Sequence, residues 1–310
     1  MGEQSAIKVQ NVVKTYDTGT KALVGVDLEI PKGDFFGLLG PNGAGKSTLI
    51  SILAGLALKS EGEVHIEGIS IDKDPDKTRT FIGLVPQEFN FNIFEKVQDI
   101  VADQAGYYGI TRTDVKPRVE EVLTQLGLWE KRESKAMDLS GGMKRRLMIA
   151  RALVHKPEIL LLDEPTAGVD VELRRGMWDF LRELNKKGTT IVLTTHYLEE
   201  VEVLCNKVAI INKGNIIAEG GVKELISKLQ QVKLILDTRE PVLPAAMVVL
   251  RELDLKQIDD TTLELTIKNG EPVNDAIRKI SSAGVNIMNV RNPGSQLEEV
   301  FVNLIEKDTV

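Results

Sequence analysis

Gly40-Pro41-Asn42-Gly43-Ala44-Gly45-Lys46-Ser47-Thr48 constrains this chain more than any other stretch, because it fills every fixed position of the pattern G-x-x-x-x-G-K-[ST]. An apolar run, Phe35-Phe36-Gly37-Leu38-Leu39, leads into it, and Leu49, Ile50, Ile52, Leu53 and Leu56 follow at helical spacing. Strand, loop and helix in that order predict a phosphate-gripping turn in an α/β sheet. Glycines at 40, 43 and 45 let backbone N–H groups turn inward on phosphate oxygens, Lys46 adds a point charge, and the Ser47 hydroxyl can hold magnesium.

Farther along, Ile159-Leu160-Leu161-Leu162 is a continuous apolar run closed by Asp163 and Glu164. Such a run suits a strand buried on both faces of a parallel sheet, which puts the two carboxylates at the edge where ligands of open α/β sheets bind. Asp163 is then the expected partner of Mg²⁺, and Glu164 can polarise an attacking water.

Between these motifs lies Leu139-Ser140-Gly141-Gly142-Met143, followed by Leu147, Ala150, Leu153 and Val154 at helical spacing. Ser140 can cap the helix, and Gly141 and Gly142 leave its N–H groups open to an anion at the positive end of the dipole. Taken alone, the pentapeptide reads equally well as an ordinary capped helix start.

Together the phosphate loop, Leu139 to Met143, and Asp163-Glu164 resemble the ATPase subunit of an ATP-binding cassette (ABC) transporter. The resemblance extends to Gln87 in Val85-Pro86-Gln87-Glu88 as the Q-loop, Val169-Asp170 as the D-loop, and His196 as the switch histidine. Tyr16 sits where the family stacks an aromatic ring on adenine. The implied fold is a P-loop NTPase (RecA-like) α/β core, with an α-helical subdomain at about 91–150 that carries the signature. The implied site binds ATP through Tyr16, Gly40, Pro41, Asn42, Gly43, Ala44, Gly45, Lys46, Ser47, Thr48, Gln87, Asp163, Glu164, Asp170 and His196 of one chain. Ser140, Gly141 and Gly142 come from a second copy, arranged head to tail. Ser47, Gln87 and Asp163 are the implied Mg²⁺ ligands, and Glu164, His196, Lys46 and Gln87 the implied catalytic set. The signature ends in Met143 where the family usually has Gln, a variant found in its exporter subunits.

The 310 residues suffice for one full α/β domain and a smaller one, expected at 1–228 and 229–310. In the second, Val232 to Leu236 reads as a strand, Val242 to Leu253 as a helix, Leu255 to Ile258 and Leu263 to Ile267 as strands. Val273 to Ser282 then reads as a helix and Val285 to Val290 as a strand. That order, β-α-β-β-α-β, is the ferredoxin-like α+β arrangement. Ser295 and Glu298 at capping-box spacing open a last helix. This tail is similar to the small C-terminal domain of drug- and polysaccharide-exporting ABC ATPases, and the whole chain resembles the YadG type, which implies an ABC-2-type transmembrane permease as partner and a second copy as dimer mate. Dimer contact, regulation and ligand sensing all remain open as its role, and the last would suit an importer instead.

No apolar stretch approaches the ~20 residues that cross a bilayer, and Met1 to Ser5 lacks the basic and apolar regions of a secretory signal. The chain is therefore expected in the cytoplasm, on the inner face of the cell membrane through its permease. A net charge of −7 argues against a nucleic-acid partner. DNA-acting cassettes insert a long coiled coil between phosphate loop and signature, and ribosome-acting ones join two ATPase modules; neither pattern is present. The lone Cys205 reads as a buried thiol, and Lys144-Arg145-Arg146 as a solvated helix face. Phe89, Phe91 and Phe94, with Tyr107 and Tyr108, either line a groove for a helix of the membrane partner or fill the helical subdomain.

Overall fold

A computed structural model describes residues 4–166, 171–227, 231–268, 271–292 and 295–308. The chain divides into two units, Met1–Gly220 and Gly221–Val310.

The first unit opens with β1 (Ser5–Thr15), β2 (Lys21–Pro31), β3 (Phe35–Leu39) and α1 (Lys46–Leu53), and continues through β4 (Glu61–Ile66), β5 (Ile69–Ser70), α2 (Pro75–Thr80) and β6 (Ile82–Val85). Three helices follow, α3 (Val97–Tyr107), α4 (Arg112–Gln125) and α5 (Gly141–Leu153), which pack on one another. The α/β order then resumes with β7 (Ile159–Asp163), α6 (Val171–Lys186), β8 (Thr190–Thr194), α7 (Leu198–Leu204), β9 (Lys207–Asn212) and β10 (Asn215–Gly221).

Two sheets result. One is antiparallel, in the order β2-β1-β4-β5; the other has six strands, β10-β9-β3-β8-β7-β6, and from β9 to β6 every pairing is parallel. The continuous apolar runs explain the second sheet. Every residue of β3, β7 and β8 is buried, as expected of strands covered on both faces. One core joins Leu23, Val26 and Ile30 of β2 to Ile159 and Leu161 of β7 through Leu49, Ile52 and Leu53 of α1. Burial of each such side chain is worth roughly 1.5–3 kcal/mol. Because β3, β6, β7 and β8 are parallel, the segments that leave them all emerge at one carboxyl edge: the phosphate loop, Gln87, Glu164 and His196.

The second unit contains α8 (Val222–Ser227), β11 (Gln231–Thr238), α9 (Pro244–Val249), β12 (Asp254–Asp259), β13 (Thr262–Lys268), α10 (Val273–Ser282), β14 (Ile287–Arg291) and α11 (Gln296–Lys307). Its sheet runs β12-β13-β11-β14, with every neighbour antiparallel. Leu234, Leu236, Leu263 and Leu265 form its core with Ile280 of α10. Two boundaries differ from the expectation. The division falls after Gly220 rather than 228, because α8 packs against α11. The helix expected over 242–253 shrinks to α9: Pro244 sets its start, and the chain must turn by Leu253, whose N–H bonds the Leu250 carbonyl, for Asp254 to pair with Thr266.

Candidate functional site

The phosphate loop is wedged against its neighbours. A β-carbon on Gly40 would stand 2.3 Å from the Ile211 carbonyl oxygen of β9, and one on Gly45, whose φ is +113°, 2.6 Å from that of Ala22 in β2. Only glycine fits either place. Lys46 opens α1 and its ammonium donates to the carbonyls of Gly40 at 2.7 Å and Pro41 at 3.1 Å. Burial lowers the pKa of that ammonium, opposed by the carboxylates of Glu164 and Asp163. Ser47 is exposed in the first turn of α1, while the Tyr16 hydroxyl lies 3.3 Å from Thr48 Oγ1. Tyr16 is 40% exposed, with Lys14 Nζ 4.8 Å from its ring centre.

Three strand ends meet at Glu164. Its N–H donates to the Thr194 carbonyl at 3.0 Å and to Thr194 Oγ1 at 3.2 Å. Its Oε2 accepts from Gln87 Nε2 at 3.4 Å and pairs with His196 Nδ1 at 3.2 Å. Its φ is +49°, a left-handed conformation uncommon outside glycine. Asp163, at the end of β7, is buried and accepts a hydrogen bond from the Thr194 hydroxyl. A carboxylate pointed by two neighbours, next to a loop built for phosphates, can hold a water against a phosphoryl group. Asp170 falls outside the described residues.

Ser140 caps α5, accepting from the Met143 N–H at 3.3 Å, and both it and Gly141 are exposed. Among the described residues no hydrogen bond joins Ser140, Gly141 or Gly142 to the group around Glu164.

The basic cluster that follows is not a solvated face. Arg145 is 4% exposed and donates to the carbonyls of Pro86 at 3.1 Å and Gln87 at 3.0 Å, with its guanidinium 5.1 Å from the Phe89 ring centre. Arg146 donates to the Leu126 carbonyl at 3.1 Å. Helical phase carried the missed signal: Gly142, Arg145, Ile149 and Ala152 share one stripe, and all four are buried. The aromatic group divides. Phe89, Phe94 and Tyr107 are exposed, whereas Tyr108 is half-buried and stacks on His155, ring centres 3.5 Å apart. Cys205 is buried, as its apolar spacing predicted.

Residues 23–167 match the family described as ABC transporter. Over 307 residues the chain is 36% identical to the linearmycin resistance ATP-binding protein LnrL of Bacillus subtilis (strain 168), covering 96% of this chain and 97% of that protein. It is also 36% identical to the Nod factor export ATP-binding protein I of Burkholderia pseudomallei (strain 1710b), over 97% of each. Among solved structures, a part of the ABC transporter complex cbiONQ from Clostridium perfringens is similar at a TM-score of 0.66 and 32% identity, covering 73% of this chain and 92% of that one. An ATP-binding cassette solved as a dimer in a post-hydrolysis state with ADP and Pi gives 0.64 at 31% identity, over 70% of this chain and 98% of that one. With a phosphate loop and a paired carboxylate–histidine at one sheet edge, and relatives this close over nearly its whole length, the chain belongs to the ABC transporter family as an ATP-binding, ATP-hydrolysing subunit.

Proposed function

We propose that this chain drives an ABC-2-type permease for export, as one half of a head-to-tail homodimer that closes on two ATP molecules and reopens when they are hydrolysed. The observation that carries the reading is the Gln87–Glu164–His196 group beside the phosphate loop. Gly40 to Thr48 wrap the phosphates, and Lys46 sets its charge against them. Glu164 orients the attacking water and takes its proton, while His196 holds the γ-phosphate and keeps the Glu164 carboxylate aimed. Tyr16 offers its exposed ring to adenine. Ser140, Gly141 and Gly142 present the open N-terminus of α5 to the γ-phosphate bound by the second copy, and Asp170 belongs to the same interface.

The donors for magnesium are all oxygens, as that hard cation prefers: the exposed Ser47 hydroxyl, the Asp163 carboxylate, and the Gln87 amide oxygen, whose nitrogen partner faces Glu164. Mg²⁺ held by Ser47, Gln87 and Asp163 supplies charge neutralisation on the phosphate oxygens.

Phe89 and Phe94 form the exposed apolar surface on which a helix of the permease docks, placing the chain on the cytoplasmic face of the membrane. No described helix is long and apolar enough to cross that membrane itself. The second unit is a ferredoxin-like module, supported by its antiparallel β12-β13-β11-β14 order, and it serves dimer contact. Export is favoured over import with a sensing tail because the export protein cited above aligns over 97% of the chain, tail included.

Glu164→Gln tests the proposal. It should bind ATP normally, turn over about 10²-fold or more slowly, and elute as a nucleotide-bound dimer in size-exclusion chromatography. Near-normal turnover would remove Glu164 from its role.

A further inference from the structure

We infer that Glu200 is a positioning residue for hydrolysis: by holding Thr166 and Trp178 it ties the segment after Glu164 to the helix after His196, and so fixes the two groups that face each other across the site. The inference rests on the roles proposed above for Glu164 and His196.

Glu200 lies in α7 and is 0% exposed. The Thr166 hydroxyl and the Trp178 indole N–H, the latter at 3.2 Å, both donate to its Oε1. Its other oxygen is buried with no hydrogen-bond partner among the described residues. A carboxyl group so placed costs stability relative to an apolar side chain of similar size, because neither two neutral donors nor an unpaired oxygen replaces its hydration. Packing alone does not account for it.

What it grips does. Thr166 is the next residue but one after Glu164, whose left-handed φ of +49° must be held by its surroundings. On one side Thr194 anchors it through the Glu164 N–H. On the other, the Thr166–Glu200 bond is the anchor. The same clamp reaches His196. Trp178 and Arg174 stand one turn apart on α6, and the Arg174 guanidinium lies 4.5 Å from the Tyr197 ring centre, itself 4.0 Å from that of His196. Thus α6, α7 and the segment after β7 close around Glu200, and the 3.2 Å contact between His196 and Glu164 hangs from that closure. The phosphate loop makes no contact with Glu200, Thr166 or Trp178 among the described hydrogen bonds, so nucleotide affinity should not depend on them.

Steady-state ATPase kinetics and ATP binding on full-length variants test this. Glu200→Ala should lower kcat about tenfold or more, with KM and ATP affinity within about twofold of wild type. Glu200→Gln, which keeps an acceptor oxygen for Thr166 and Trp178, should restore most of kcat. Thr166→Val, which exchanges the donor hydroxyl for a methyl group of the same shape, should lower kcat in the same manner, and joined to Glu200→Ala it should add little further loss. Should Glu200→Ala fail to fold, Thr166→Val carries the test alone. Wild-type kcat in Thr166→Val, or kcat and ATP affinity falling together, overturns the inference. Glu164→Gln, run alongside, separates the two readings: inactive Glu164→Gln with fully active Glu200→Ala and Thr166→Val sinks the role of Glu200 alone, whereas active Glu164→Gln sinks the site and Glu200 with it.

Discussion

Gly45 shows how little freedom the phosphate loop has. At φ +113° and with the Ala22 carbonyl 2.6 Å from where a β-carbon would go, Gly45→Ala must both strain its backbone and push β2 away. The strain alone is worth about 1–3 kcal/mol. Gly45→Ala should lose ATP binding in equilibrium titration, together with a lowered Tm. Residues of this kind are legible in a sequence because their chemistry demands fixed spacing along one segment, as with Lys46, Ser47 and Glu164. Glu200 and Arg145 were not, because their partners come from distant strands and helices. Glu199-Glu200 offers two carboxyl groups side by side, and only the phase of α7, set by Val201 and Leu204 facing the core, selects the one that is buried.

Among the elements, α5 joins more parts of the first unit than any sequence pattern suggests. It begins at Ser140, holds the Q-loop backbone through Arg145, and reaches Asn90 through Arg151. Just beyond its end, His155 bonds the Ile82 carbonyl at 3.0 Å and stacks on Tyr108. Burial lowers the His155 pKa from 6.5 to about 4, overcoming the opposite pull of the Ile82 carbonyl, and nearby Arg118 lowers it further. The folded protein therefore keeps this ring neutral where an unfolded chain would protonate it. Its contribution is intact above pH 6.5 and is lost as the pH falls toward 4. Wild type should thus lose more Tm between pH 7 and pH 5 than His155→Gln does, as differential scanning calorimetry would show. The apolar runs made β3, β7 and β8 legible, since burial on both faces leaves no room for polar residues. They could not show that three cationic or aromatic side chains fasten α5 to the segment beside β6.

For the whole molecule, the core of the first unit draws only on residues before the division at Gly220, and the second unit has its own. A chain ending at Gly221, which keeps all of β10 and omits α8, should stay folded and bind ATP with an affinity within about twofold of full length, by calorimetric titration. The order of elements in the second unit was legible from alternating apolar patterns. Its boundary was not, because α8 packs on α11, far away in sequence. The left-handed backbone at Glu164 also bears on the stability of the chain as a whole. Replacing a side chain with glycine ordinarily lowers stability by about 0.5–1 kcal/mol. At this position glycine would relax the backbone, so Glu164→Gly should melt no lower than wild type while hydrolysing no ATP. Selection for a sturdier protein and selection for a faster one would then pull residue 164 in opposite directions, and the chain as it stands has sided with speed.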